Sequence, residues 1–457
     1  MHTLFTLKTN VFNINVALIY MKIKLKHTSF LLLIILLIPN RMSAQNIILL
    51  DTLNKTYNSE ISTIYANRVL EQLQVFNAEI ESRSTRKAVE TSYKELSENF
   101  NKNIQKGLFA DQKNYRVLLD DILLKIKNNN SNFENISETK ILISFGASPN
   151  AYAIGNDIIV LFVPLIKKIE TEEQLAFIMC HEIAHNILQH SYKGLIERAD
   201  LENSSDIRKQ TQVIKSKRYN AGQVALGLYK DIVYSAQRKN RLLEHQADSL
   251  GFILFQNTYK DKTHQALVAL KALENIDEET DSLTIDDYKR LFHTETSPFK
   301  QEWLNNDELK AYTYDKSAGY WKVDSLKTHP DIPQRIQLLN ERFKVNETPN
   351  IKATAHYQEL RNSSNYNHVL GLYVIEEYGK SLYETLLLLK NNSDNPFLKR
   401  MVYKNLIKLQ EAQTNYTLNK YLETNNPNFS RSYNTFLYFL RQLRKTQLNA
   451  IINKYQT

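Results

Sequence analysis

The sequence predicts an α+β protein that is mostly helical, with a small β-sheet placed directly before its most apolar helix. Only 10 Gly and 9 Pro occur in 457 residues, which leaves long uninterrupted stretches for helices. Apolar residues recur at spacings of three and four over much of the chain. Between residues 141 and 162 the pattern changes to short apolar runs separated by turn residues, which indicates strands.

The N-terminus has the pattern of a secretory signal peptide over residues 1–44, with Met21 as an alternative start. The basic segment Met21–Lys26 precedes the apolar run Phe30–Ile38, and small residues end at Ala44. This run is shorter than the roughly 20 residues of a membrane span, and an uncleaved anchor is the alternative. We therefore expect an exported chain, periplasmic or secreted, that is soluble after cleavage and has no membrane span in its mature form.

The charge and the single cysteine exclude two kinds of protein. Residues 1–44 carry five basic residues and no acid, so the formal charge of +9 falls to 9 − 5 = +4 on the remainder. That value is ordinary for this length, and no arginine-rich tract or RNA-binding motif occurs, so no nucleic-acid partner is expected. Cys180 is the single cysteine, which excludes an intramolecular disulfide and favours a buried thiol.

Amphipathic helices are predicted before the sheet. Apolar residues at helical spacing run from Ile61 to Phe76 and from Leu118 to Ile126. Residues 81–105 between them are polar and fit either a charged helix or a loop flanked by helices. Residues 141–145 then form a strand, and residues 150–162 form one or two more.

Residues 181–185 spell H-E-x-x-H inside an apolar helix that Thr171 can cap. Because His181 and His185 are four residues apart, they share one helix face and can present two imidazole nitrogens to one metal ion. Glu182 lies about 100° around the same helix, within reach of a water on that metal. Two neutral nitrogen ligands and a carboxylate base are what zinc-dependent peptide hydrolysis requires. A chance match is the alternative.

A catalytic zinc site needs a third protein ligand. Glu202 and Glu244 each precede an Asp by four residues. We favour Glu244, because it shares a helix face with Asp248, which can accept the free N–H of a ligand histidine and fix its tautomer. Glu202 remains the alternative. His190 lies about 140° around the helix from His185, so it is expected either at the helix end or behind a ligand that it supports, and not among the ligands.

The regions after the motif are less informative. Residues 191–240 are polar and basic, which is typical of a solvated face or a mobile loop. Residues 274–310 are acidic and loop-like, and fit either a lid over the site or an inert insertion. From about residue 350 the chain is predicted to be helical throughout. Two Asn-Pro segments there have prolines 31 residues apart, close to a helical-hairpin repeat, and a nonspecific helical bundle is the alternative.

Four segments together resemble the HtpX-like and CAAX-prenyl-protease-like zinc metallopeptidases, peptidase family M48, of the soluble periplasmic type. They are Asn150-Ala151-Tyr152-Ala153, the H-E-x-x-H helix, Arg241–Asp248, and Thr328-His329-Pro330 followed by Arg335-Ile336. The resemblance covers roughly residues 105–345. It departs at Ile154-Gly155-Asn156-Asp157, where many members have Pro-Gly-Gly.

The resemblance implies a zincin-like metallopeptidase core and a role for each matching residue. By resemblance, His181, His185 and Glu244 bind one Zn²⁺ per chain and Glu182 is the general base. His329 lies near the metal, where it either stabilises the oxyanion or acts as a reversible extra ligand, and Asp248 and Arg335 support the ligands. Asn150, Ala151, Tyr152 and Ala153 form an edge strand that pairs with an extended or unfolded polypeptide substrate.

The sequence therefore predicts an exported zinc metalloendopeptidase that cleaves internal peptide bonds in misfolded or misassembled envelope proteins. The peptidase domain with its N-terminal helices spans 45–345, and the helical region 350–457 is available to an envelope protein partner. The alternative function is an envelope chaperone or assembly scaffold whose metal site is closed or vestigial.

Overall fold

The computed structural model describes residues 47–456 except for 52–53, 134–135, 217–220, 275, 277–280, 306–331, 346–350 and 427, without the side chains of 208, 211 and 221–238. The predicted signal peptide and the segment Thr328–Pro330 fall outside the described residues. Among the residues that are described, no helix combines the length and the apolar composition needed to cross a membrane.

The secondary structure is mostly helical with one small sheet, as predicted. The strands are β1 (Phe109–Ala110), β2 (Lys140–Ser144), β3 (Ala151–Gly155) and β4 (Ile158–Phe162). The helices up to the motif and just beyond it are α1 (Lys55–Glu79), α2 (Arg83–Gln105), α3 (Lys113–Asn129), α4 (Val163–Lys168), α5 (Glu172–Ile187), α6 (His190–Asn203), α7 (Ser205–Ser216) and α8 (Ala221–Thr258). The later helices are α9 (His264–Leu273), α10 (Ile285–Phe292), α11 (Ile332–Phe343), α12 (Ala355–Val374), α13 (Tyr378–Asn391), α14 (Pro396–Thr414), α15 (Leu418–Tyr421), α16 (Arg431–Gln442) and α17 (Lys445–Tyr455).

The four strands lie in the order β1-β2-β4-β3, which leaves β3 at one edge of the sheet. β2 and β4 are parallel, whereas β3 and β4 form an antiparallel hairpin. Ile159 and Leu161 point into the core that contains α5, while Ile158 and Val160 pack with Ile61 of α1 on the opposite face. The sheet is therefore enclosed by the motif helix on one face and by α1 and α2 on the other.

The hairpin between β3 and β4 turns at Asn156 and Asp157. This is the segment in which the sequence departs from the Pro-Gly-Gly of the family that it resembles. Gly155 pairs with Ile158, so the turn has two residues, and both have positive φ, 52° and 57°. This is the backbone that tight hairpins favour, because its twist matches that of the strands. Arg68 of α1 donates a hydrogen bond of 2.6 Å to the carbonyl of Asn156, which holds the turn against α1.

Helix α5 begins where the sequence predicts. Thr171 is its N-cap and accepts a hydrogen bond from the backbone N–H of Gln174 at 3.3 Å, while the Gln174 side chain accepts one from the N–H of Glu170. Each residue from Glu173 to Ala184 is buried. A helix enclosed in this way holds the side chains of the motif in fixed positions.

Three polar regions are largely helical. Residues 81–105 are mainly the helix α2, which agrees with the charged helix among the two alternatives, and its buried residues include Val89, Tyr93 and Phe100. In 191–240 the described residues form α6, α7 and the start of α8, so the mobile-loop alternative is wrong there and the solvated-face alternative remains. The predicted loop 274–310 contains α10, and its Tyr288 and Phe292 rings pack on Phe439 of α16 with centroids 5.2 and 4.7 Å apart.

Helix α12 joins the C-terminal helices to the core. A Cβ at its Gly371 would lie 2.5 Å from the Phe145 ring, so the helix needs glycine to approach the sheet this closely. Its Ser363 accepts a hydrogen bond from the N–H of Ile48 at 3.1 Å, and its Asn367 accepts one from the N–H of Leu50 at 2.9 Å. The first described residues of the chain are thus held by a helix that follows more than 300 residues later.

Candidate metal centre

The two histidines of the motif converge on one point. His181 and His185 lie one turn apart on α5, and their Nε2 atoms are 3.1 Å apart. His181 is buried and His185 is partly buried. Glu182, between them in sequence, is also buried on the same helix, with 8% of its surface exposed.

Glu244 of α8 lies opposite the two imidazoles. Its Oε2 is 3.6 Å from Nε2 of His181, and its Oε1 is 3.4 Å from Nε2 of His185. Each of the three residues offers a ligand atom within 4.8 Å of the others, so the group is able to hold a metal ion. Glu202, the alternative third ligand, lies exposed on α6 in an ion pair with Arg198.

The spacing of these atoms fits zinc. With Zn–N distances of about 2.0–2.1 Å, tetrahedral geometry places neighbouring ligand atoms about 3.3–3.4 Å apart. The two histidine nitrogens are 3.1 Å apart, and the two oxygens of the Glu244 carboxylate lie 3.6 and 3.4 Å from one nitrogen each, so both separations are close to this value. Two nitrogens and one carboxylate are also the donor set of several catalytic zinc sites, which leave the fourth position for water or substrate.

Asp248 fixes the orientation of His181. Its Oδ1 lies 3.0 Å from Nδ1 of His181, so this nitrogen carries a proton and Nε2 is the ring nitrogen that faces Glu244 and His185. Arg335 of α11 donates two hydrogen bonds of 2.6 Å to the Asp248 carboxylate, and both residues are 2% exposed. Burial raises the pKa of Asp248, but Arg335 outweighs this effect and lowers the pKa to about 2. Asp248 is therefore ionised at neutral pH.

The carboxylates around His181 favour positive charge at the site. Burial lowers the pKa of His181, but its contacts with Asp248 and Glu244 outweigh burial and raise the pKa to about 10. A divalent cation is the charge that this arrangement accommodates best.

His190 fixes the orientation of the other histidine, which the sequence did not predict in this form. The chain turns at Gln189, where φ is 56°, and this turn brings Nδ1 of His190 to 2.9 Å from Nδ1 of His185. Nε2 of His190 lies 3.2 Å from Oε1 of Gln246. Because the amide oxygen only accepts, His190 donates to Gln246 and accepts from His185, whose Nε2 is then free of its proton. Burial is the largest cause that lowers the pKa of His190, to about 4, so this side chain is neutral at pH 7.

Gly251 allows α8 to lie directly against α5. A Cβ on this residue would be 2.9 Å from Cα of His181 and 3.0 Å from its backbone nitrogen. Gly251 lies seven residues after Glu244, nearly two helical turns, so both residues face α5. The close contact at Gly251 therefore sets the distance from which Glu244 reaches the histidines. Sequence reasoning missed this role, although a glycine inside a helical pattern is a signal for close packing.

The edge strand lies beside the histidines. Phe162 of β4 donates its backbone N–H to the carbonyl of Asn150 at 2.9 Å. Because hydrogen-bonded pairs alternate along an antiparallel ladder, Tyr152 is the next residue to bond with β4, and the backbone groups of Ala151 and Ala153 point toward the open edge. Ser191 of α6 donates a hydrogen bond of 3.2 Å to the carbonyl of Ala153. The side chain of Asn150 accepts one from the N–H of Ala151 at 2.9 Å.

Two other sequence predictions concern Cys180 and His329. Cys180 is fully buried, and burial raises the pKa of its thiol, so it is not a metal ligand here. His329 lies outside the described residues.

The comparison with known protein families agrees with this geometry. Residues 120–343 match the model of peptidase family M48. The match extends from α3 to α11 and so contains the sheet strands β2 to β4, the motif helix and the helix that carries Glu244. No curated protein matches the chain. The chain belongs to peptidase family M48 and is a metallopeptidase, a peptide hydrolase of a zinc-dependent family.

Proposed function

We propose that the chain is an exported zinc metalloendopeptidase of the HtpX-like, soluble periplasmic type. It cleaves internal peptide bonds of extended or unfolded polypeptides, in particular misfolded or misassembled envelope proteins. The observation that carries the proposal is the meeting of His181, His185 and Glu244 at zinc-like separations beside an edge strand. The pattern of residues 21–44 supports export.

His181, His185 and Glu244 are the proposed ligands of one Zn²⁺ per chain. A zinc ion held there acts as a Lewis acid on the scissile carbonyl and makes a nearby water acidic. Glu182 accepts the proton of that water and passes it to the leaving amine. Asp248, fixed by Arg335, keeps the lone pair of His181 directed at the site.

Strand β3 is the proposed binding edge for substrate. An added strand would pair with the backbone groups of Ala151 and Ala153 in place of the side chains of Asn150 and Ser191. Pairing of this kind is tolerant of substrate side chains and suits unfolded chains. For His329 we keep both proposed roles, stabilisation of the oxyanion and reversible ligation. The C-terminal helices from α13 onward lie outside the matched residues and are the proposed contact for an envelope partner.

A chaperone or scaffold with a vestigial site is less well supported. The buried pair of Asp248 and Arg335 contacts His181 and so supports the orientation of a proposed ligand, which a vestigial site would not need. The close approach of His181, His185 and Glu244 also supports a site that is able to hold a metal ion.

The experiment compares zinc content and proteolysis in four proteins. Wild type is expected to contain one zinc and to cleave an unfolded protein such as reduced casein. Glu182→Gln should keep the zinc and lose cleavage, and Glu244→Ala should lose the zinc. Glu202→Ala, which changes the exposed glutamate, is the matched control and should resemble wild type. A fully active Glu182→Gln protein, or unchanged zinc in Glu244→Ala, contradicts the proposal.

Export is tested separately. The mature protein recovered from cells is expected to begin at Gln45, as read by N-terminal sequencing. A mature chain that retains residues 21–44 contradicts the cleavage prediction without affecting the metal site.

A further inference from the structure

A cavity of about 610 Å³ lies at the open edge of β3, with His185 among its lining residues. Its other walls come from α1, α2 and α6, and we call it the hairpin pocket after the α1–α2 helical hairpin. Its volume is within the range of about 300–1,000 Å³ that is typical of ligand sites. It is therefore large enough for a bulky side chain of a substrate bound along β3.

Aromatic rings form one part of the lining of the hairpin pocket, beside largely uncharged polar side chains such as those of Asn99, Asn103 and Gln189. The Phe76 ring stacks on Tyr192 and meets Tyr93 edge-on, both with centroids 5.1 Å apart, and Tyr65 packs on Phe100 at 4.1 Å. The hydroxyl groups of these tyrosines have partners of their own, as when Tyr192 donates to Glu79 at 2.7 Å. Among the described lining residues, only one acid and one base, Asp157 and Arg198, carry a formal charge at neutral pH. This chemistry selects an apolar side chain.

The register of β3 directs substrate side chains into this pocket. Tyr152 and Ile154 face the cluster formed with α1 and α2, whereas Ala151 belongs to the core around α5. A polypeptide that pairs with the open edge of β3 has side chains that alternate between the same two faces. Every second substrate side chain therefore points toward the hairpin pocket, and the others point toward the motif helix.

The pocket has one wall before the matched family region and the others within it. Helices α1 and α2 span Lys55–Gln105, before the match begins at residue 120, whereas β3, His185 and α6 lie inside the match. Helices α1 and α2 are held in place at several points, including the contact of Arg68 with the turn at Asn156 and a hydrogen bond between Asn156 and Tyr93. The N-terminal hairpin therefore shapes the pocket together with the matched elements.

We propose that the hairpin pocket is the subsite that selects a bulky apolar residue, aromatic or large aliphatic, near the bond that is cleaved. This inference rests on the proposed peptidase function and names its substrate class. Segments rich in such residues are buried in folded proteins and become accessible when proteins unfold. The pocket therefore selects unfolded chains by the residues that folding normally hides.

The test measures binding separately from cleavage. Zinc-loaded Glu182→Gln protein is titrated against fluorescent peptides of a neutral polar sequence that carry a single Phe or a single Ala at each position in turn, and anisotropy gives Kd. The Phe peptide is expected to bind about tenfold or more tightly at one position, the discrimination that an apolar pocket supplies. Equal affinities for Phe and Ala at every position overturn the proposal.

A filling variant locates the preference in the pocket. Leu96 of α2 lines the pocket and is 53% exposed, so Leu96→Trp, made in the Glu182→Gln protein, fills the mouth without changing the core. It should reduce the Phe-over-Ala ratio to below about twofold. Asn99→Trp on the same wall repeats the test if Leu96→Trp folds poorly. Thr91→Trp, exposed on another face of α2, is the matched control and should keep the ratio. An unchanged ratio in both filling variants overturns the proposal.

The two proposals fail in different ways. Phe-selective binding by a protein whose wild type cleaves none of the peptides would contradict the peptidase function and leave the pocket assignment standing. Cleavage of Phe and Ala peptides with equal kcat/KM, together with equal binding, would contradict the pocket and leave the peptidase function standing.

Discussion

A Cβ on Gly251 would lie 2.9 Å from Cα of His181, a separation too short for two carbon atoms unless one of the helices moves. Helices α8 and α5 are thus in contact at His181, the first proposed ligand. Since Glu244 lies on α8 as well, the metal centre depends on a backbone contact and not only on its side chains.

Gly251→Ala is therefore expected to weaken zinc binding. Overpacking costs about 1–3 kcal/mol, which exceeds the helix propensity of about 1 kcal/mol that alanine adds. We expect a lower free energy of unfolding and a higher Kd for zinc, measured by chelator competition. Gly194→Ala on α6 is the control, because a Cβ there meets nothing within 4 Å. It should raise stability by up to about 1 kcal/mol and leave zinc affinity unchanged. Zinc affinity equal to wild type in Gly251→Ala would show that α8 adjusts without moving Glu244.

Asp248→Asn should weaken zinc binding although it leaves the three proposed ligands unchanged. The asparagine keeps the shape but loses the charge that faces Arg335, so the buried guanidinium keeps only its longer contact of 3.7 Å with Glu244. We expect the free energy of unfolding to fall by about 3–5 kcal/mol. Zinc affinity should fall about 10–100-fold. Asp206→Asn, at the corresponding position of the exposed Glu202 pair, should change neither quantity, and a normal zinc Kd in Asp248→Asn would contradict the role given to Asp248.

His190 and Gln246 are expected to strengthen zinc binding by His185. His190→Ala removes the acceptor of His185 Nδ1–H, and Gln246→Leu removes the acceptor of His190. Each should weaken zinc binding about tenfold, and the double variant should be little worse than His190→Ala, because both act through one chain of hydrogen bonds. His293→Ala, an exposed histidine, is the control. Fully additive effects of the two changes would show that they act independently.

His368 is expected to make stability depend on pH away from the metal centre. Burial lowers its pKa from 6.5 to about 3, with a further contribution from Lys167. Its folded pKa is below its unfolded pKa, so the unfolded chain binds the proton more readily. Stability is complete above pH 6.5 and is lost as the pH falls from 6.5 toward 3, by at most about 1.4 kcal/mol per pH unit.

The measurement for His368 is the free energy of unfolding at pH 7 and pH 5 from urea titrations. His368→Gln should lose less stability than wild type over this interval. His356→Gln, which changes an exposed histidine, should follow wild type. Equal losses in all three proteins would assign the pH dependence to other groups.

Local periodicity explains which parts of the site the sequence predicted. His181 and His185, like Glu244 and Asp248, are four residues apart, and helical spacing places each pair on one face. The contact between His190 and His185 depends on a left-handed residue at Gln189, which no pattern of apolar residues encodes. The role of Gln246 was also missed, because its partner His190 lies on another helix.

Long-range packing explains what the sequence did not predict about the fold. Strand β1 has two residues, too few to show a period, and exists because it pairs with β2. Helix α10 lies in an acidic segment, but Tyr288 and Phe292 anchor it on a ring more than 100 residues later. The composition of a segment indicates how polar it is, but contacts with distant residues decide whether it forms a helix or a strand.

The hydrogen bonds of Ile48 and Leu50 with α12 have a consequence for the order of folding. The partners are 315 and 317 residues apart, so these bonds cannot form until Asn367 has been synthesised. Contacts of such separation slow folding, because a long loop must close first. If the chain is exported as proposed, this end would cross the membrane before its partners on α12 have followed. Its two hydrogen bonds with α12 would then form only on the far side.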